Sequence, residues 1–305
     1  MSFRTETIKT LKTTALGRIA VETARQAVDL AGQMTHPDLP NDQEISRITF
    51  RGKHLSILHR RDYSDRFAIK QCFEQDQYDM PHGTHGAFVE RSYQQILAGG
   101  RKPLIVDCGS NIGSSVLWFT VRYPEAHVLA VEPAPDNFAF LTKNCAGLDV
   151  DLRQAGISGT NGISHLVDCG MGGSTYQTSA EGNGPEIAML AIGPLLTEKL
   201  ASNYVPFILK IDVEGAESTL FDGDCSALNQ FPLIIMEPHD WLLPGQHSSV
   251  GFFRFHAAFK REFCMNHENI GSIAYDASLL DQVSPPEMAT VPVQRQRPST
   301  LHHLR

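Results

Sequence analysis

The chain has 305 residues, 42% hydrophobic and 20% charged, an ordinary globular composition able to bury a core. Its net charge is −8, from 26 basic and 34 acidic residues without a basic block, which argues against nucleic acid as the main partner because phosphate binding relies on clustered Lys and Arg. No apolar run approaches the roughly 18 residues of a membrane span, and the N-terminus lacks the charged-then-apolar layout of a signal peptide.

Residues 7–33 carry Ile8, Leu11, Leu16, Ile19, Val28 and Ala31 at loosely helical spacing and predict one or two amphipathic helices. Glu44 to Arg60 alternates apolar and polar residues on both sides of Arg51-Gly52-Lys53, the pattern of a hairpin. Residues 63–98 read as helix and loop, stopped by Gly99-Gly100. Apolar runs at 103–108, 127–132, 149–157, 205–212 and 232–238 then alternate with helical stretches at 113–123, 136–146, 194–203, 215–230 and 251–263. Such alternation predicts an α/β fold, a Rossmann-like and mostly parallel sheet with helices on both faces. "CMNHENIGSIAYD" adds a terminal antiparallel hairpin, and 284–305 read as a loose tail. The expected organisation is an N-terminal helix and hairpin extension (1–90), a main domain (91–283) and a flexible tail (284–305). The six cysteines lie far apart with no CxxC pair, as free thiols in a reducing cytoplasm would. A soluble, cytoplasmic protein with no membrane partner is expected, and no oligomeric state follows from the sequence.

In an open parallel sheet, ligands bind beyond the carboxyl ends of the strands. Asp107, Gly109, Asn111 and Gly113 in "VDCGSNIGSS" therefore sit where a cofactor would lie. A dinucleotide fingerprint needs a glycine where Asn111 stands, and no P-loop Lys follows. The expected cofactor is an adenine nucleoside without a pyrophosphate, and S-adenosylmethionine fits. Glu132, about 20 residues beyond the turn, is placed to bind both ribose hydroxyls. Asp107 is placed for the cofactor's amino group, directly or through water. Gly113 is expected to keep the backbone open to the cofactor, so that Gly113→Val would harm the site more than the fold.

"VDCGSNIGSS", "AVEPAPDNFAFLTKN" and "LKIDVEGAE" together resemble the FkbM family of class I S-adenosylmethionine-dependent methyltransferases, over about residues 100–275. The family's Asp-x-Gly-x-Asn-x-Gly matches Asp107, Gly109, Asn111 and Gly113, and its Glu-Pro matches Glu132-Pro133. Its Lys-x-Asp-x-Glu-Gly-x-Glu matches Lys210, Asp212, Glu214, Gly215 and Glu217. The stretch "AIGPLLTEKL" departs from the family, which often places acidic residues there. The resemblance implies a class I sheet and methylation of a hydroxyl on a sugar or polyketide-like small molecule.

An alcohol acceptor must be aligned with the methyl group and lose its proton. Asp212 and Glu214 follow one apolar strand end, and Glu237, His239 and Asp240 follow the next. The catalytic candidates are Asp212 as anchor, His239 as base near its ordinary pKa, and Glu214. Glu217 equally suits a helix N-terminus, where acids complement the dipole. Asp212 with Glu237, Asp240 or His239 also permits a divalent metal such as Mg²⁺, a possible but not favoured reading in which no residue is assigned as ligand. Gly170 to Pro185 reads as a lid or as a surface loop joining strands. A nicotinamide-dependent oxidoreductase and a non-catalytic cofactor-binding protein are the alternative functions.

Overall fold

The computed structural model describes residues 39–80, 82–168, 176–179, 183–222 and 224–276. The helices expected within 7–33 and the tail at 284–305 lie outside the described residues.

The expected hairpin is formed by β1 (Gln43–Phe50) and β2 (Lys53–Arg60), paired antiparallel from Gln43↔Arg60 to Phe50↔Lys53. Arg51 and Gly52 make the turn with φ of 46° and 78°, the left-handed pair that a tight hairpin requires. α1 (Tyr63–Phe73) begins at Asp62, whose side chain accepts from the Asp65 N–H. α2 (Gly83–Ala98) ends at Gly99, as the glycine pair predicts.

The chain then alternates through β3 (Lys102–Cys108), α3 (Ser114–Arg122), β4 (His127–Val131), α4 (Pro135–Asn144) and β5 (Val150–Arg153). β6 (Gly156–Ser158), β7 (Gly162–Asp168), β8 (Tyr176–Ser179) and β9 (Glu186–Ala191) follow. After α5 (Ile192–Leu200) come β10 (Tyr204–Ile211), α6 (Glu217–Leu220), β11 (Leu233–Met236), α7 (Val250–Ala258), β12 (Glu262–Asn266) and β13 (Asn269–Ile273). The main sheet has seven strands in the order β12-β13-β11-β10-β3-β4-β5. It is parallel except for β13, which runs antiparallel to both β11 and β12. This is the expected Rossmann-like, mostly parallel α/β sheet, with the terminal antiparallel hairpin in place.

Both faces of the sheet are covered, so its central strands read as unbroken apolar runs. On β3, Ile105 joins Trp118, Phe119, Tyr123 and Phe207 on one face, while Leu104, Val106 and Cys108 join Leu209, Phe252 and Phe255 on the other. The hairpin is built into the same body. Ile57 of β2 and Ile69 of α1 pack with Ile112, Leu117 and Phe140.

Three expectations change. The apolar run 149–157 is not one strand: β5 ends at Arg153, and β6 starts a separate four-stranded sheet, β6-β9-β7-β8. The apolar residues Val150 and Leu152 before the break and Ala155 and Ile157 after it follow so closely that spacing alone does not mark it. The helix expected at 215–230 shrinks to α6 and a 3₁₀ turn at Leu228–Gln230. The Asp-Gly-Asp of "FDGDCS" is a helix-breaking composition. Within the polar stretch Gly170–Pro185, Tyr176–Ser179 form β8 against β7, and most of the remainder lies outside the described residues.

Candidate active site

The β3–α3 turn lies at the switch point, where β3 is flanked by β4 and β10. Gly109 has φ +80°, and a Cβ there would sit 1.8 Å from the Asp212 carbonyl oxygen, so the exits of β3 and β10 meet only because this residue is glycine. Asn111 adopts φ +49° and donates its backbone N–H to Glu132 Oε2 at 2.8 Å, while its own Oδ1 is buried without a hydrogen-bond partner.

Glu132, at the end of β4, is held on both oxygens. Oε1 accepts from the Ala134 N–H at 2.9 Å and from Asn137 Nδ2 at 3.3 Å. Burial pushes its pKa up to about 7, against the N–H groups of Ala134 and Asn111, which favour the anion.

Two expected cofactor contacts are placed differently. Asp107 is fully buried and takes no part in the cavity wall. Its carboxylate faces Lys210 Nζ at 3.0 Å and accepts from Ser115 Oγ at 2.6 Å. It thereby holds Lys210, which also donates to the Gly109 carbonyl at 2.8 Å and lies 3.3 Å from Asp212. Burial opposes the Lys210 charge, but Asp107, Tyr78 and Asp212 offset this and raise its pKa. Gly113, with φ +94°, also lies off the cavity, and a Cβ there would meet Leu141 Cδ1 at 2.9 Å and Cys145 Sγ at 3.3 Å. Its smallness serves the packing of α3 on α4, so Gly113→Val meets that packing as well as the turn beside the site.

The exits of β10 and β11 bring the acids and the imidazole together. His239 is buried, with Nδ1 hydrogen-bonded to fully buried Glu217 and Nε2 3.5 Å from Asp212 Oδ1 and 3.7 Å from Glu237 Oε1. Burial disfavours its charge, but Glu217, Asp212 and Glu237 outweigh that and raise the pKa to about 9. The carboxylates around it thus favour the protonated ring, where the sequence reading expects a neutral base near its ordinary pKa. Glu217 does more than complement a helix dipole, since it is the carboxylate that orients the ring. Glu214 and Glu237 are each raised to about 8, first by burial and further by Asp212, against the pull of His239. Donor atoms of Asp212, Glu237 and His239 lie within 4.8 Å of one another, an arrangement able to hold a cation, and Asp240 is not among them.

A cavity of about 370 Å³ joins the two groups: Asn111 and Glu132 line it together with Asp212, Glu214, Glu237 and His239. Lys210 and Gln77 line it as well, and Tyr63, Phe67 and Trp241 stand at its exposed edge. The sequence reading assigned these five no role. Lys210 carried a signal as part of the Lys-x-Asp-x-Glu-Gly-x-Glu motif, and Trp241 as a large aromatic directly after Asp240.

Residues 107–257 match the family model described as the methyltransferase FkbM domain. The chain is 30% identical over 139 residues to the hexuronic acid methyltransferase AglP of Haloferax volcanii, a match covering 44% of this chain and 54% of that one. It is 30% identical over 155 residues to the methyltransferase sdnD of Sordaria araneosa, covering 40% of this chain and 60% of the relative. The chain thus spans little more than half the length of each relative. A solved O-methyltransferase from Bacillus cereus in complex with SAH aligns with a TM-score of 0.33 and 12% identity, over 70% of this chain and 91% of that chain. Among the described residues, no helix is long and apolar enough to cross a membrane.

Proposed function

Residues 107–257 belong to the methyltransferase FkbM domain family, and from that premise we propose that the chain transfers the methyl group of S-adenosylmethionine to a hydroxyl oxygen of a small molecule. The observation that carries this reading is the single cavity with a nucleoside-type end at Glu132 and an acid–imidazole end at Asp212 and His239. The residues present fit the cofactor. Glu132 offers a carboxylate to a ribose diol, Ile112, Val131 and Ile157 give apolar walls for a base, and the orphaned Asn111 Oδ1 needs a donor. The relative AglP, a hexuronic acid methyltransferase, supports an oxygen-rich acceptor.

When bound, the cofactor supplies an electrophilic methyl carbon: the C–O bond forms as the C–S bond breaks, giving a methyl ether, S-adenosylhomocysteine and a proton. Asp212, partly exposed on the cavity wall, takes that proton, because His239 already holds one near neutral pH. The imidazolium, fixed by Glu217, positions the Asp212 carboxylate through Nε2 and offsets the charge of the surrounding acids. Alignment of this kind supplies about 7–11 kcal/mol of a methyl-transfer barrier, and a positioned base about 10²–10⁴-fold more.

Asp212→Asn is expected to lower turnover by that 10²–10⁴-fold while S-adenosylhomocysteine affinity, measured by calorimetry, stays within about twofold. Full turnover in the variant on a competent acceptor refutes the assignment. Binding of NADH in preference to S-adenosylmethionine would support the oxidoreductase instead. The closeness of the Asp212, Glu237 and His239 donor atoms favours one second reading, a divalent ion that clamps the acceptor hydroxyl. Under the leading reading methyl transfer survives exhaustive dialysis against EDTA. Its loss, with recovery on Mg²⁺ or Mn²⁺, establishes the metal.

A further inference from the structure

We propose that Tyr63, Phe67, Gln77 and Trp241 form an acceptor subsite that takes a neutral, polyhydroxylated ring with one apolar face, the chemistry of a sugar ring. This rests on the methyl-transfer reading and deepens it, naming the acceptor class and the residues that select it.

The first observation is apolar surface where none is needed for folding. Tyr63 is 79% exposed, Trp241 74% and Phe67 37%, and all three line the same cavity. Tyr63 and Phe67 stack on consecutive turns of α1, with centroids 5.5 Å apart and planes 15° apart. A single exposed aromatic is ordinary, but three around one concavity form the rim of a ligand site. Aromatic faces of this kind cover the apolar C–H face of a saturated ring.

The second observation is independent of the rim. Gln77 is 2% exposed, lines the cavity, and its Oε1 has no hydrogen-bond partner. Glu214 Oε2, on the same wall, is also buried and unpartnered. Buried acceptors are normally satisfied, so both call for donors from a ligand, and a ring bearing several hydroxyls supplies them.

The third observation is charge. Glu132, Asp212, Glu214 and Glu237 line the cavity. The cationic residues among the described lining are Lys210 and His239, and both are already engaged: Lys210 by Asp107 and Asp212, His239 by Glu217 and Asp212. A ring carrying its own carboxylate would enter this lining with no free cation to meet it. Three of the four subsite residues also precede the matched span 107–257, so this face of the cavity is built by the chain outside the family domain.

Two tryptophans report on the subsite separately, since Trp118 is wholly buried and only Trp241 is open to acrylamide. The test is acrylamide quenching of the full chain saturated with S-adenosylhomocysteine, titrated with methyl gluco-, galacto- and mannopyranosides and with methyl glucuronide. At least one neutral glycoside is expected to shield Trp241 saturably, and the glucuronide to need at least about fivefold higher concentration. Tyr63→Ala, Phe67→Ala and Gln77→Leu should each weaken the glycoside about tenfold, with S-adenosylhomocysteine affinity unchanged. If S-adenosylhomocysteine itself fails to bind, the methyl-transfer reading falls first. If it binds and no glycoside shields Trp241, or the Tyr63 and Phe67 variants bind as the parent does, the subsite is overturned while that reading stands. Equal or tighter binding of the glucuronide overturns the neutrality. Loss of S-adenosylhomocysteine affinity in Gln77→Leu moves Gln77 to the cofactor and removes it from the subsite.

Discussion

Glu132 shows how one buried carboxyl couples pH to both stability and ligand. Its pKa rises from an ordinary 4.5 to about 7 because burial penalises the anion. The sign follows. Its contribution to stability is fully present below about pH 4.5 and is lost as pH rises through about 7. A ribose diol donates to the ionised form, so S-adenosylhomocysteine affinity is expected to increase between about pH 6 and pH 8, and calorimetry across that window checks it. Glu132→Gln should flatten this dependence and cost about 1.5–3 kcal/mol of binding, the worth of a hydrogen bond to a charged group. Gly113 makes the opposite kind of demand. With φ +94° and Leu141 in the way of any Cβ, Gly113→Val is expected to lose stability by at least about 1–3 kcal/mol, read as a fall in thermal midpoint. A folded variant with an unchanged midpoint would show that α3 and α4 do not meet there.

Among elements, the exits of β10 and β11 carry the proposed catalytic residues and α6 supports them. Glu217 stands at the start of α6, one element away from His239, yet its carboxylate fixes the ring. The pair stabilises the fold below about pH 6.5, and that contribution drains away as pH rises through about 9. Glu217→Gln should bring the His239 titration, followed by imidazole NMR signals, down from about 9 toward the ordinary range. Turnover should fall at neutral pH while cofactor affinity holds. A His239 titration indifferent to the change would mean that Glu217 does not orient it. In the sequence Glu217 resembled a helix-end acid because its partner lies 22 positions away, and no local pattern connects them.

Across the whole molecule, the hairpin is tied to Glu132, the proposed ribose contact, by a chain of polar contacts. Arg60 of β2 donates to Asp65 at 2.9 Å, Asp136 at 2.8 Å and Asn137 at 2.6 Å, and Asn137 donates in turn to Glu132. Asn144 of α4 accepts from the Leu58 N–H and donates to the Leu58 and Ile112 carbonyls. Arg60→Ala is expected to cost about 1.5–3 kcal/mol of stability and to loosen S-adenosylhomocysteine several-fold through Asn137 and Glu132. Denaturation midpoints and calorimetry measure the two effects, and a variant with a normal binding constant would separate the hairpin from the site.

What the sequence by itself determined was local. Unbroken apolar runs such as "LIV" at 104–106 and "FILKI" at 207–211 marked strands buried on both faces, and the strand–helix beat specified a parallel sheet. The strand-end acids Glu132 and Asp212 were legible because the turn chemistry beside them was. The tertiary structure alone decided which carboxyl faces what. Asp107 turns to Lys210 instead of the cavity, and Gly113 makes room for Leu141. Three acidic side chains converge on His239 and favour its protonated form. The second sheet and the aromatic rim from α1 were equally invisible, since both depend on segments far apart in the chain meeting across space. Burial and charge proximity are properties of the assembled core, and no spacing rule along the chain encodes them.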